Sequence, residues 1–356
     1  MDRSYYHCPD CRSGQWPWDQ TLGLGQRRQT PAVMQLVSLA ATLTSFDQAA
    51  KRMLPKLCGL RFSKSTVRRT AEDAGERLGK LLEQGETFGD ARPWSWQRDA
   101  AGRRCAYASL DHTGIPQQAA GGGKAEGRMA AVGMIYNPDS EHDPQEPPPH
   151  QMRYLSGLYD LDELSLQLRR QAAQVGWDDA EQQIVLSDGG SGLEQFAQRT
   201  FPLAVRILDF WHASEHLSEL ARALHPEDQA AENPSAFEEQ LHQWCQLLKH
   251  EGGGAMVAQL EALDVRGHSA AVQEVHRQQL GYFRNHAGRM DYPTYVANGW
   301  RIGSGPVEAA CKHVASRLKC SGMRWRPFGT DSISHLRALY RSEPGQWESF
   351  WQAHAI

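Results

Sequence analysis

The order of the elements predicted after residue 104 constrains the fold of this chain more than any other feature of its sequence. Short apolar runs predict strands, and amphipathic stretches predict the helices between them. The predicted strands lie within 105–116, 128–137, 151–160, 182–188 and the first part of 204–217, and the first of them is expected to end near Asp111. Helical patterns, including 161–176, separate the last three strands. Hairpin-connected strands followed by β–α units predict an α/β fold with a mixed sheet.

The segments between these elements carry turn and loop composition. Residues 121–127, GGGKAEG, predict a turn, and 142–150, HDPQEPPPH, predict a disordered loop tip. Residues 88–104 are rich in Gly, Asp and Trp and predict a linker. In the helix over 161–176, Leu161, Leu164 and Leu168 share one face. We therefore expect this helix to pack on the sheet.

Residues 30–92 predict a helical region ahead of the sheet. Ser45 and Gln48 form a capping box, LPKLCGL at 54–60 predicts a break, and Ser63 can cap the next helix. Two helices around a turn, the second of them basic, resemble a helix-turn-helix. A plain helical bundle explains the same pattern equally well.

Charge is distributed unevenly along the chain. The net charge is -4, yet 51–69 contains seven Lys or Arg and no acid. Residues 301–326 contain six Lys or Arg and one Glu, Glu308. Two basic segments on an acidic body suit a protein that contacts a polyanion at defined places. Two solvated helix faces are the alternative.

Two predicted strands end in an acid, Asp111 and Asp188. A carboxylate at the carboxyl end of a buried strand lies at the edge of the sheet where ligands bind. If the two strands are neighbours, these carboxylates converge, and Glu308 can reach the same edge from a late helix. Carboxylate oxygens suit Mg²⁺ or Mn²⁺, and two such ions can catalyse phosphodiester chemistry.

Each acid also has a simpler explanation. Asp111 and Asp188 precede Thr or Gly within two residues and can stabilise turns. Glu308 lies in the first turn of its predicted helix, where it complements the helix dipole and can pair with Lys312. The helix predicts a buried stripe, and its members are Val307, Ala310, Cys311, Val314 and Leu318. Glu308, Lys312, Ala315 and Lys319 would form the adjacent face.

Cys8 and Cys11 form a C-x-x-C pair near the N-terminus. Such a pair supplies two of the four ligands of a structural zinc ion. No second C-x-x-C follows, so either a further pair lies upstream of this chain or the two thiols bind no metal. The seven scattered cysteines fit a reducing compartment, and the polar N-terminus has no signal-peptide core.

Four motifs resemble a family of mobile-element enzymes, the DDE transposases of the ISKra type of bacterial insertion sequences. The motifs are SLDHTG around Asp111, VLSDGG around Asp188, LDFWHASEHL at 208–217 and GSGPVE around Glu308. The resemblance extends over about residues 5–350. It departs from the family pattern at His112, where Gly is expected, and after Asp188, where a Trp is expected.

The resemblance implies a ribonuclease-H-like fold with an all-helical insertion before the last catalytic residue. It implies metal-dependent cleavage of element ends and transfer of the 3′-hydroxyl to target DNA, with two Mg²⁺ or Mn²⁺ ions. Asp111, Asp188 and Glu308 become the catalytic, metal-binding triad. Asp209 and His212 match a D-x-x-H pair that supports the active site or contacts DNA. The expected partners are terminal inverted repeats, target DNA and a second copy in a synaptic complex.

The resulting domain prediction has five parts. A partial zinc-knuckle-like segment covers 1–25, and a helical DNA-binding domain covers 26–92. The catalytic domain would cover 105–212 and 299–345, with a helical insertion over 213–298 between its two parts. We expect a cytoplasmic, nucleoid-associated protein without a membrane partner, because no run of about 18 apolar residues is present.

The basic segments supply the predicted phosphate contacts. They are Lys51, Arg52, Lys64, Arg68, Arg69, Arg301, Lys312, Arg317, Lys319, Arg324 and Arg326. Trp300 or Trp325 could stack on an unpaired base, although a core position is the stronger expectation for both. Two other functions remain open at this point. One is a DNA-binding protein without catalysis, and the other is a nuclease that does not join strands.

Overall fold

The computed structural model describes residues 4–22, 24, 29–138, 150–190, 192–226, 236–303 and 305–353. Of the loop predicted over 142–150, only His150 falls within these ranges. A two-stranded hairpin and a short helix lie at the N-terminus: β1 Tyr6–His7, β2 Gly14–Gln15 and α1 Pro17–Thr21.

A five-stranded mixed sheet forms the centre of the fold. Its strands are β3 Cys105–Gln118, β4 Lys124–Tyr136, β5 Met152–Gly157, β6 Gln182–Ser187 and β7 Val205–Leu208. The strand order is β5-β4-β3-β6-β7. The β3–β4 and β4–β5 pairs are antiparallel, whereas the β3–β6 and β6–β7 pairs are parallel. The predicted mixed α/β fold is confirmed.

Strand β3 is longer than the sequence predicts. We expected it to end near Asp111, but it continues to Gln118 because its antiparallel pairing with β4 persists beyond the point where β6 stops. Strand β4 likewise begins at Lys124, inside the predicted turn. The paired ends of β3 and β4 therefore extend past the parallel part of the sheet.

The N-terminal region is helical, as predicted. Its helices are α2 Pro31–Leu43, α3 Phe46–Gln48, α4 Leu54–Cys58 and α5 Lys64–Glu83. Ser45 accepts a hydrogen bond from the Gln48 amide, and Ser63 accepts one from the Thr66 amide, so both predicted caps form.

The helical path is interrupted at the end of the segment 54–60 and not at its start, where the sequence predicts the break. A π-helical turn over Ala49–Met53 leads directly into α4, which contains Pro55. A wide π turn avoids the clash that proline makes with the carbonyl of the preceding α-helical turn. The helix ends at Cys58 because Gly59 adopts a left-handed conformation with φ of 67°.

The remaining elements cover both faces of the sheet. They are α6 Leu161–Gln174, α7 Leu193–Thr200, α8 Phe210–Leu224, α9 Ala236–Glu261, α10 Ala270–His286, α11 Tyr292–Ala297, α12 Gly305–Ala315, α13 Pro327–Arg341 and α14 Gln346–Ala353. Helix α9 kinks at Gly252. The regular elements of the predicted insertion, 213–298, are all helical within the described ranges.

Two hydrophobic cores lie on opposite faces of the sheet. The first combines residues of α2–α7, α13 and α14 with one face. The second combines residues of α8–α12 with the other face. The N-terminal helices, predicted as a domain of their own, thus share a core with the sheet and have a fixed position relative to it.

Two buried arginines fasten α2 to the C-terminal part of the chain. Arg317 donates to the Ala41 carbonyl at 3.1 Å, and Arg337 donates to the Thr42 carbonyl at 2.7 Å. Arg337 also donates to the Val314 carbonyl at 2.5 Å. Burial lowers the pKa of each guanidinium to about 10. Both arginines bind carbonyls at the end of α2, so they fix its orientation.

Residues 88–104, predicted as a linker, pack against the rest of the fold. Phe88, Trp94 and Trp96 are buried, and the Trp94 indole donates to Glu343 at 2.8 Å. Glu343 also accepts from Arg153 at 2.6 Å, and Arg153 is only 1% exposed. This buried ion pair ties strand β5 to the segment before α14.

In the described part of the chain, no helix has the length and apolar character needed to cross a bilayer.

Replacing Glu343 with alanine should leave the buried Arg153 guanidinium without its charged partner. Losing one partner of a buried ion pair costs roughly 3–5 kcal/mol. We expect the free energy of unfolding, measured by urea denaturation, to fall by about 3 kcal/mol or more. The exposed Glu126→Ala should change it by less than about 0.5 kcal/mol. Equal effects of the two substitutions would contradict a structural role for this pair.

Candidate active site

Three acids lie in a row where the parallel strands end. Leu110 pairs with Ser187, and Ser187 pairs with Leu208. Asp111, Asp188 and Asp209 are each the next residue, so they occupy equivalent positions on β3 and just after β6 and β7. Adjacent strands lie about 4.8 Å apart, and residues in register on parallel strands face the same side. The predicted convergence of Asp111 with Asp188 is present in the backbone register.

Asp111 is held by two hydrogen bonds. Its Oδ1 accepts from the His112 amide at 2.6 Å, and its Oδ2 accepts from the Cys311 thiol at 3.3 Å. The second bond joins β3 to α12, the helix that carries Glu308. Residues three apart on a helix are surface neighbours, so Glu308 lies one turn from the thiol that contacts Asp111. All three predicted acids thus belong to one region of the molecule.

Burial raises the pKa of Asp111, and the charge of Asp188 raises it further, although the bonds from Cys311 and His112 oppose the shift. Burial and the adjacent carboxylates raise the pKa of the Cys311 thiol. The thiol is therefore a neutral donor at physiological pH. Two nearby carboxylates that repel each other form a site where a cation is stabilising.

Asp188 begins a tight loop after β6. Its Oδ1 accepts from the Gly190 amide at 2.9 Å. The ring of Tyr282, from α10, packs against Gly189 so closely that an added Cβ would lie 2.7 Å from it. A side chain at position 189 would therefore displace the loop. Helix α10 of the insertion fixes the backbone beside Asp188.

Asp209 is buried and caps α8. Its carboxylate accepts from the amides of Trp211 and His212, each at 3.2 Å. The Phe210 amide donates to the Ile302 carbonyl at 2.9 Å, which ties the start of α8 to the segment leading into α12. Asp209 is thus placed to support the site structurally. His212 lies one turn later, half-buried, with its Nδ1 3.6 Å from Glu215.

Sequence reasoning missed the contacts made by Cys311, Tyr282 and Arg289. Cys311 appeared only as a member of a buried stripe. Tyr282 stacks on His216 with 3.6 Å between ring centroids, and Arg289 donates to His286 at 2.8 Å. Burial lowers the pKa of His216 and of His286. The His212/His216 spacing of four residues was the only signal in the sequence for this cluster.

The fit of a divalent cation can be tested against this geometry. Within the described ranges, no three His, Cys, Asp or Glu side chains are grouped closely enough to hold one ion. Asp111 and Asp188 nevertheless provide hard oxygen ligands on neighbouring backbone positions, and Mg²⁺ commonly uses only one or two carboxylates plus substrate phosphate. The pair fits such an ion, and Glu308 would have to approach it from α12.

The predicted phosphate contacts divide into exposed and buried residues. Exposed on the surface are Lys51, Arg52, Lys64, Arg68, Arg69, Arg301, Lys312, Lys319, Arg324 and Arg326. Lys51 pairs with Asp47 at 2.9 Å, and Arg68 lies 3.7 Å from Glu72. Because these Lys and Arg side chains are exposed, a polyanion in solvent can reach them.

The structure corrects the prediction that Arg317 contacts a phosphate. It is only 3% exposed, and its guanidinium lies 4.8 Å from the Phe46 ring and 5.1 Å from the Trp325 ring. Direct contact with a phosphate is excluded by this burial. Trp300 and Trp325 are also buried, which confirms the core position expected for both. Neither indole is placed to stack on a base.

We expected Glu308, Lys312, Ala315 and Lys319 to form one face of α12. Ala315 is buried, so it does not belong to the exposed surface of this face. The predicted buried stripe is confirmed: Val307, Ala310, Cys311, Val314 and Leu318 are all in the interior. The exposed acid and bases therefore lie on the outer side of a helix whose inner side packs on β3 and β4.

Cys8 and Cys11 lie in the turn between β1 and β2. The Cys8 amide donates to the Ser13 carbonyl at 2.8 Å, and the Cys11 thiol lies 2.9 Å from the Ser13 hydroxyl. Hydrogen bonds with Ser13 and Cys8 lower the pKa of Cys11 to about 7. Two thiols would supply two of the four ligands of a structural zinc ion, and no third ligand from the described residues joins them.

The chain matches no protein-family model and no curated protein sequence at a significant level. The functional conclusions therefore depend on the geometry of the site and on the motifs.

Replacing Asp111 with asparagine should stabilise the metal-free protein at neutral pH. An acid whose pKa is raised by folding binds more protons when folded, so stability falls as pH rises from its unfolded toward its folded pKa. Asparagine does not ionise, so the variant does not lose stability in this way as the pH rises. In EDTA, the variant should exceed wild type in free energy of unfolding at about pH 8, and the gap should shrink toward about pH 4.

Urea denaturation across this pH range measures the effect. The exposed Glu126→Gln removes a surface carboxylate away from the site and is the control. A variant that is less stable than wild type at every pH would show that the Asp111 carboxylate stabilises the fold. It would contradict a strained cation site.

Proposed function

We propose that this protein is a DDE-type transposase that cleaves and joins DNA by metal-dependent phosphoryl transfer. The observation that carries the proposal is the register of β3 and β6, which puts Asp111 and Asp188 on adjacent positions at one edge of the sheet. The Cys311–Asp111 bond adds support, because it brings the helix with Glu308 to the same edge.

We propose further that the sheet is of the ribonuclease-H-like type. Three antiparallel strands followed by two parallel strands support this assignment, with the acids on the first strand and after the fourth. Helices α8–α11 come between β7 and α12, where the resemblance expects an all-helical insertion. Tyr282 and Arg289 of that region contact the β6 end of the site, so the insertion would act as part of the catalytic domain.

The residues of the site have distinct roles in this proposal. Bound Mg²⁺ or Mn²⁺ would supply Lewis-acid stabilisation of the reacting phosphate. Asp111 and Asp188 would hold the ions, and Glu308 would complete the set after moving toward the strand ends. Asp209 would keep α8 and the Ile302 segment in place. Lys312 and Lys319, exposed on α12 and just after it, would hold DNA phosphates beside the acids.

Substituting Asp188→Asn should abolish strand cleavage while DNA binding in EDTA stays within about twofold of wild type. Metal stabilisation of the transition state is worth several kcal/mol, so cleavage of labelled element ends should fall by about a thousandfold or more. The measurement is a gel assay of labelled ends from the DNA that flanks this gene, with Mn²⁺ or Mg²⁺.

Asp162→Asn, an exposed acid of the same chemistry, is the control and should cut at the wild-type rate. If Asp188→Asn still cuts, the assignment of the acids is wrong. If wild type cuts the ends but never joins them under joining conditions, the protein is a nuclease instead of a transposase.

A second candidate is a DNA-binding protein without catalysis. The thiol of Cys311 favours it, because this group already occupies one oxygen of Asp111. Cys311→Ala separates the two functions. In a catalytic protein, removing the thiol should preserve or increase Mn²⁺ affinity, measured by titration calorimetry. In a protein without catalysis, neither wild type nor the variant should bind Mn²⁺ at this site.

A further inference from the structure

The two basic segments of the sequence, about 250 residues apart, meet at a single groove. The first contributes Lys64 and Arg68 from the start of α5, and the second contributes Arg324 and Arg326 from the loop before α13. The groove has a volume of about 560 Å³. The sequence could not show this meeting, because it results from the packing of α5 against α13.

Most of the charged side chains that line the groove are cationic. Among the described residues, Lys64, Arg68, Arg317, Arg324 and Arg326 line it together with two acids, Asp47 and Glu72. Asp47 forms an ion pair with Lys51, outside the groove, and Glu72 lies beside Arg68. Lys64 and Arg324 form no ion pair within the described part of the chain. The described side chains that line the groove therefore carry a net positive charge, since five cations stand against two acids.

Two long helices begin at this groove. Lys64 is the first residue of α5, and Arg326 is the N-cap of α13, with no side chain capping the helix there. A helix N-terminus carries partial positive charge and favours anions. The helix dipoles thus add to the charge of the side chains.

Arg317 adds a buried charge beneath the groove. It lines the floor, is 3% exposed, and its Nη2 has no hydrogen-bond partner among the described residues. No carboxylate pairs with it in the same part of the chain. The guanidinium is held instead by the Ala41 carbonyl and by the Phe46 and Trp325 rings. An anion in the groove would relieve the cost of burying this cation.

We propose that this groove binds the phosphate backbone of a nucleic-acid duplex, so that α5 and the loop before α13 hold one and the same DNA segment. Four exposed cations contributed by two elements match a chain of phosphates better than one small anion. The groove would then couple recognition by the helix-turn-helix-like region to the sheet. Its position relative to the cut strand rests on the proposed function, but its binding of DNA does not.

The extended end of β3 sets the distance from the groove to the acids. Gln118 lines the groove, and its amide donates to the Trp325 carbonyl at 2.7 Å. Seven residues separate Gln118 from Asp111 along one strand, which corresponds to about 23 Å at 3.3 Å per residue. Successive nucleotides rise about 3.4 Å, so the bound phosphates should lie within about seven nucleotides of the reacting one.

Fluorescence anisotropy on the full chain tests the proposal. A labelled duplex is titrated in EDTA at several salt concentrations between about 50 and 200 mM, so that cleavage cannot occur. The variants are Lys64→Ala, Arg324→Ala and the double variant. Removing one cation that binds a phosphate should flatten the dependence of log K on log salt by about 0.9 and weaken binding about eightfold at 0.1 M salt. The double variant should show the sum of the two effects.

Arg92→Ala removes an exposed cation outside the groove that, like Lys64 and Arg324, forms no ion pair with the described residues, and it should leave affinity and salt dependence unchanged. If Arg324→Ala binds the duplex with wild-type affinity and salt dependence while Lys64→Ala does not, the two segments do not share one ligand and the proposal is wrong. It is also wrong if the variants lose binding to heparin but keep binding to the duplex. Thermal unfolding of each variant at the wild-type temperature shows that the loss is local.

The outcomes for the groove and for the proposed function are separable. Salt-dependent binding through Lys64 and Arg324, with no cleavage in Mn²⁺, would support the groove and refute the enzyme. Where cleavage does occur, phosphate-ethylation interference should map to about seven nucleotides or fewer from the cut and should vanish in the double variant. Interference that persists in the double variant would place the bound DNA elsewhere.

Discussion

The parallel pairing of β3, β6 and β7 is the constraint on which the rest of the structure depends. Each strand is buried and in fixed register, so the residue after the ladder is placed by the backbone. Asp111, Asp188 and Asp209 take these positions, and a slip of one residue would turn a carboxylate to the opposite face of the sheet. Asp209 caps α8, Cys311 of α12 bonds Asp111, and Tyr282 of α10 packs against Gly189 beside Asp188. The site is thus a consequence of how the sheet pairs.

Two kinds of buried charge are left partly uncompensated, and they lie at different places along the sheet. Beside Asp111 the excess is negative, and burial together with the charge of Asp188 raises the pKa of this acid. Beneath the groove the excess is positive, because burial lowers the pKa of Arg317 to about 10 and no carboxylate pairs with it in the described chain. A cation suits the first place and a phosphate chain suits the second. Both ligands are those that the proposed function requires.

Much of the fold was predictable because it follows from local rules. The order of the elements, the caps at Ser45 and Ser63 and the neighbouring positions of Asp111 and Asp188 could be inferred from periodicity and turn chemistry, although β3 runs on beyond Asp111. The burial of Arg317, the bond from Cys311 and the packed segment around Trp94 could not. Each depends on contacts between residues far apart in sequence, and an arginine in a basic run looks the same whether it is exposed or stacked between aromatic rings.

The most direct test of the central claim is to locate Mn²⁺ in crystals of the protein by anomalous scattering. The account predicts a peak between Asp111 and Asp188, within about 2.0–2.4 Å of a carboxylate oxygen of each residue. With DNA bound, Glu308 should approach the same region. An occupied Mn²⁺ site elsewhere, with Asp111 still bonded to Cys311 and no density between the acids, would contradict the proposed metal-dependent chemistry.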